Sequence, residues 1–108
     1  MRYRSLFSRG SAILTEEGKG FLRSVGAALQ RKAGVWKSLI IEGHTDATGS
    51  EATNRRLSKS RADSVKSFLQ AEFGLSNIET AGRSSDKLRD TDNPSGGLNR
   101  RVEFVPNW

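Results

Sequence analysis

Two side chains of opposite charge frame what this chain could do. Asp46 lies in a polar segment, Gly43-His44-Thr45-Asp46-Ala47-Thr48-Gly49, and Arg61 lies in the helix-like stretch that follows. Leu57, Arg61, Val65 and Phe68 are spaced by four, four and three, which puts them on one face of a helix. Arg61 therefore falls on the stripe that should be buried or half-buried. A guanidinium there needs anionic partners, because an unpaired buried charge costs on the order of several kcal/mol. Three readings stand side by side. Arg61 can snorkel to solvent, or form a structural ion pair with Asp46 or Glu42. Alternatively, its partner is in part the carboxylate of a ligand, which the planar fork of an arginine holds through two parallel hydrogen bonds. An acid and a base held close together suit a zwitterion, the acid taking an ammonium and the arginine a carboxylate. At ~4 Å such a pair is worth about 4 kcal/mol before desolvation in a surface-like dielectric, so affinity per site is expected to be modest.

The elements that must position these groups are legible in outline. Tyr3 to Phe7 reads as a short strand and Ser8 to Leu14 as a connection. Thr15 is a helix N-cap followed by Glu16 and Glu17 in the positive first turn. Phe21, Leu22, Val25, Ala28 and Leu29 form one apolar face of a helix that runs to about Lys32 and stops at Gly34. Leu39 to Ile41 reads as a buried strand ending at Glu42 and Gly43, with His44 to Ser50 as a polar turn. A second helix, capped near Ser50, continues to roughly Glu72 and ends at Gly74. Its apolar face carries Leu57, Val65, Phe68 and Leu69. Ile78 to Ala81 reads as a strand and 82–98 as a long polar loop. Arg101 to Val105 is a last strand with Val102 and Phe104 on one face and Pro106 closing it. The order β-α-β-α-β-β predicts an α/β fold of the α+β sandwich kind: one mixed sheet of about four strands with two main helices packed on it. In such sheets ligands gather at the carboxyl ends of strands beside helix N-termini, which is where Asp46 falls.

Bulk properties narrow the function classes. The chain has 108 residues, the size of one ordinary domain, and reads as a single domain excised from a longer protein. No run approaches the ~20 apolar residues of a membrane span. The absence of cysteine excludes disulfides and thiol chemistry. The net charge of +6 favours a polyanionic partner, a description that nucleic acid, anionic lipid and a carboxylate-rich wall polymer all fit. One histidine, His44, without cysteines or clustered carboxylates at ligand spacing, makes no metal site, and no cofactor is expected. Ser58, His44 and Asp46 could be assembled on paper into a catalytic set, but the strand-turn-helix elbow for the nucleophile is missing. The chain is not expected to be an enzyme.

Gly43-His44-Thr45-Asp46, Gly49, Asn54, Leu57-Ser58, Arg61-Ala62, Val65 and Leu69 together resemble the signature of the OmpA C-terminal-like family. Asn99-Arg100-Arg101-Val102-Glu103 resembles its closing strand, and Phe7, Gly10-Ser11 and Leu14 its opening segment. The family includes outer-membrane porin tails, Pal lipoproteins, MotB flagellar stators and secretion-system wall anchors. The resemblance implies non-covalent binding of peptidoglycan through the diaminopimelate of its stem peptide, and a place in the periplasm or cell envelope. By position, it implies that Asp46 accepts the ammonium and Arg61 grips the carboxylate. Thr45 would contribute through its backbone, Asn54 and Leu57 would line the pocket, and Arg100 or Arg101 would add a second cation. The chain departs from the pattern at Ser8, where many members carry Asp. It departs again at Ser84, in place of a second glycine, and at Leu88, in place of a proline. Two other classes compete. Nucleic-acid binding follows from charge alone, and lacks aromatics interleaved with basic residues. A structural or dimerisation domain with a lapsed pocket is motivated by Ser8; it would make the chain a homodimer.

Overall fold

The computed structural model describes residues 6–8, 11–45, 49–83 and 101–108, the last without the side chain of Arg101. The first helix, α1 (Glu16–Arg31), begins where its cap predicts: the Thr15 side chain accepts from the backbone N–H of Gly18, and Glu16 and Glu17 sit in the first turn. It ends on Lys32, whose N–H turns back to carbonyls of the last turn, two residues before Gly34. Its buried face is also rotated from the expected one. Gly18, Leu22 and Gly26 are buried, whereas Phe21 is exposed. Its two glycines take close neighbours, the Leu6 backbone at Gly18 and the Phe73 ring at Gly26, with Leu22 fully buried between them.

The central strand β1 (Ser38–His44) runs longer than its apolar core suggests and takes in His44, which the sequence placed in a turn. It is followed by α2 (Glu51–Phe73), capped by the Ser50 side chain on the Thr53 N–H and ended by Gly74. Then come β2 (Ile78–Gly82) and β3 (Arg101–Asn107). The sheet order is β2-β1-β3, with β1 parallel to β2 and antiparallel to β3. The mixed sheet with two helices is as expected, but three strands are found among the described residues in place of about four. Of the expected first strand only the end is described, where Phe7 makes an isolated bridge to Leu14. Strand β3 also does not stop at Pro106; it continues through it to Asn107, opposite Ser38. Proline lacks a donor N–H and is tolerated in an edge strand, and among the described residues β3 lies at the edge of the sheet.

The core sits between α2 and the sheet. Leu39 and Ile41 of β1, Ala62, Val65 and Leu69 of α2, and Leu22 of α1 are fully or almost fully buried, joined by Phe7, Leu75 and Ile78. Side chains alternate along a strand, so Leu39, Ile41 and Gly43 face α2 while Ile40, Glu42 and His44 face away. Trp36 closes one end of the core, half-buried, with its Nε1–H donated to the Leu29 carbonyl at 3.0 Å.

A polar clamp fastens α2 to β2. Lys59 Nζ lies 2.8 Å from Asp63 Oδ1 and 2.7 Å from Thr80 Oγ1, and the Thr80 hydroxyl donates to Asp63 at 2.6 Å. Partial burial raises the Asp63 pKa. The hydrogen bonds from Lys59 and Thr80 and the charges of Lys59 and Lys66 outweigh it, leaving the carboxyl below its ordinary 3.8. A carboxyl depressed in the folded state contributes stability that is present above its unfolded pKa and lost as pH falls through the folded one. The urea midpoint is therefore expected to drop as pH is lowered from about 4 toward 3, and to drop less in Asp63→Asn. Equal slopes in the two proteins would show that the clamp is not coupled to folding.

Candidate functional site

Arg61 is the buried cation that helical spacing pointed to. It is 8% exposed and lies on the inner face of α2 with Ser58, Ala62, Val65 and Leu69. It does not snorkel. Its Nε–H donates to the Ser11 carbonyl at 2.9 Å, and its Cζ lies 5.2 Å from the centre of the Phe7 ring. One turn further along, the Ser64 hydroxyl donates to the Ala12 carbonyl at 2.7 Å. The helix thus holds two successive carbonyls of the opening segment. That segment is itself folded back: Ser8 N–H donates to Ile13 O, and Thr15 N–H to Leu6 O, each at 2.9 Å.

The other expected site residues fall as follows. Thr45 comes directly after β1 and is buried, and among the described residues its Oγ1 meets no hydrogen-bond partner. Asn54 lies in the first turn of α2, half-buried, with its backbone N–H on the Ser50 carbonyl at 3.0 Å. A Cβ built on Gly49 would lie 3.7 Å from Asn54 Oδ1, so the Asn54 side chain folds back over the turn. Leu57 is half-buried one turn later. Asn54, Leu57 and Arg61 therefore follow one another along one side of α2. Asp46 and Arg100 lie outside the described residues, as does the Arg101 side chain, although the Arg101 backbone pairs with His44. The loop positions Ser84 and Leu88 lie outside them too.

The alternative partner for Arg61, Glu42, points to the opposite face of the sheet. Its Oε2 is held by Arg83, with Nη2 at 2.7 Å and Nε at 3.0 Å. A feature missed in the sequence lies beside it. The register pairs Glu42 with Glu103 across β1 and β3. His44, two residues along the same face, brings its Nε2 to 3.5 Å from Glu42 Oε1 and 4.0 Å from Glu103 Oε2. The expectation that no carboxylates cluster around the histidine is thus corrected: the donor atoms of Glu42, His44 and Glu103 lie within 4.8 Å of one another. Only strand pairing creates this cluster, and no spacing along the chain announces it. Arg83 already supplies a cation to Glu42, so the group reads as a partly buried polar network that ties the strands together on the face away from α2.

Ser58, the serine of the hypothetical catalytic set, is fully buried under Gly43 and Gly82, and its hydroxyl donates to the Arg55 carbonyl at 3.0 Å. That is a packing role. What the region offers chemically is recognition: a guanidinium oriented on the inner face of α2 against the opening segment.

Several known proteins are similar to this chain. Outer membrane protein Omp38 of Acinetobacter baumannii is 46% identical over 66 residues, covering 57% of this chain and 18% of that protein. Outer membrane protein A of Bordetella avium is 33% identical over 103 residues, covering 93% of this chain and 52% of that protein. The chain thus spans about half or less of the length of these relatives. Among solved structures, the cell wall anchor of the T6SS from Pseudomonas aeruginosa superposes with a TM-score of 0.73 at 27% identity, covering 92% of this chain and 72% of that one. These are proteins of the bacterial envelope, and the chain is a domain of that compartment. Residues 6–101 match the model of the OmpA family, and a match over nearly the whole sequence means that the chain belongs to it.

Proposed function

We propose that this domain binds peptidoglycan non-covalently, through the diaminopimelate residue of the stem peptide, and so anchors a membrane protein or complex to the cell wall. The observation that carries the reading is Arg61, a buried guanidinium whose plane is held by the Ser11 carbonyl and the Phe7 ring. Membership of the OmpA family supports it, as does the likeness to a protein described as a cell wall anchor. In this reading Arg61 takes the carboxylate at the far end of diaminopimelate and Asp46 takes the ammonium beside it. Thr45 contributes its backbone, and Asn54 and Leu57 form the wall along α2. A second cation comes from Arg100 or Arg101. No bond is made or broken, so the domain needs no nucleophile and no cofactor.

Lysine is the informative control, because it keeps the side-chain ammonium and lacks the second carboxylate. A titration followed by amide chemical shifts is expected to saturate with meso-diaminopimelate. It should show at least about tenfold weaker binding of lysine, the effect of losing one bidentate charge-assisted pair. The domain should also co-sediment with diaminopimelate-type sacculi. Equal affinity for the two amino acids, or no response to either at millimolar concentration, would sink the assignment.

A further inference from the structure

We propose that Phe7 and the Ser11 carbonyl are positioning groups for Arg61, which makes the opening segment a working part of the ligand site as well as packing. The inference rests on the functional reading above. An arginine side chain has many rotamers, and a carboxylate gains its two parallel bonds only when the guanidinium plane is correctly turned. Contacts with the opening segment bear on that plane. Ser11 O receives the Nε–H, which fixes the plane from its inner edge, and the Phe7 ring lies against the guanidinium at 5.2 Å.

The segment is built to hold these two groups still. Phe7 is buried and bridges to Leu14, and Ser11 N–H donates to Ser8 O at 3.0 Å. Thr15 fastens Leu6 through its backbone N–H and, at 3.3 Å, through its hydroxyl. The same Thr15 caps α1, and Ser64 pins Ala12 to α2. The orientation of Arg61 is thus referred to both helices through a segment far from it in sequence.

The test compares Phe7→Leu with replacement of Phe7 by 3,4,5-trifluorophenylalanine, which keeps the ring's shape and drains its negative face. Phe7→Leu is expected to weaken diaminopimelate binding about threefold to tenfold, the cost of ordering one rotamer-rich side chain on binding. The fluorinated protein should weaken in the same direction while its thermal midpoint falls only by what the loss of one cation–π contact brings, less than in Phe7→Leu; a purely structural role would leave its affinity unchanged. In an Arg61→Lys background, where no planar cation remains to be oriented, the Phe7→Leu effect should shrink to less than about twofold. In the ligand-free protein, the Arg61 Nε–H resonance should report an ordered guanidinium in wild type and a mobile one in Phe7→Leu. Wild-type affinity in the fluorinated protein, or an equal Phe7→Leu effect in both backgrounds, overturns the proposal. Should wild type not bind diaminopimelate at all, the functional reading fails, and the Arg61 resonance alone decides whether Phe7 positions it: an equally ordered guanidinium in Phe7→Leu overturns it.

Discussion

Arg61→Ala is expected to lose diaminopimelate and sacculus binding by at least about thirtyfold. Removing one partner of a desolvated, hydrogen-bonded charge pair typically costs about 2–5 kcal/mol. The substitution also costs the fold something. It strips the Ser11 carbonyl of a charge-assisted hydrogen bond and the Phe7 ring of its cation, together on the order of 2 kcal/mol. Binding must therefore be measured below the melting transition, with the folded fraction checked by far-UV circular dichroism. Arg61→Lys separates charge from geometry. It keeps the cation and the apolar stem but loses the planar fork, so intermediate affinity, about tenfold below wild type, is expected. A folded Arg61→Ala protein that sediments with sacculi like wild type would remove Arg61 from the site.

The largest effect on stability is expected at Gly43, with the opposite sign at Gly20. Gly43 lies on β1 where α2 rests on the sheet. A Cβ there would come within 2.9 Å of the Ser58 carbonyl carbon and closer still to its oxygen. The obstacle is helix backbone, which cannot swing aside as a side-chain tip can. Neighbouring Gly82 meets the same wall, 2.7 Å from Lys59 N and 2.8 Å from Ser58 Oγ, so the helix has no room to slide toward β2. Gly43→Ala must lift α2 off the sheet and open the packing of Ile41, Ala62 and Val65. A cost of about 3 kcal/mol or more is expected, at or above the upper range for overpacking. Gly20 is exposed in the middle of α1, and a Cβ there meets nothing within 4 Å. Gly20→Ala should stabilise by about 0.5–1 kcal/mol through helix propensity alone. Urea unfolding of the two variants beside wild type measures both. If Gly43→Ala unfolds within about 1 kcal/mol of wild type, the close seat of α2 is wrong.

Much of this protein is determined by neighbours in the chain, and that part was legible. Thr15 and Ser50 cap helices because a side-chain oxygen reaches an N–H three residues on, and Gly74 ends one for equally local reasons. The burial of Arg61 was readable from its spacing to Leu57 and Val65, because a helix converts spacing into facing. The α-β-α-β-β order of the described elements followed from periodicity and turn residues, and with it the class of fold. The tertiary structure decided whatever depends on which distant segments meet. Spacing pointed to an acid for Arg61; the Ser11 carbonyl and the Phe7 ring against it come from a segment some fifty residues earlier, brought there by the packing of α2. The buried face of α1 took in Gly18 and Gly26 beside Leu22, because the Leu6 backbone and the Phe73 ring come to lie against those glycines. Glu42 and Glu103 became neighbours of His44 only through the β1–β3 register, which no single strand encodes. Pairing across the sheet also carried β1 on to His44 and β3 through Pro106. Local rules act over a turn of helix or a pair of strand residues, whereas partners for a buried charge are chosen by packing across the whole core.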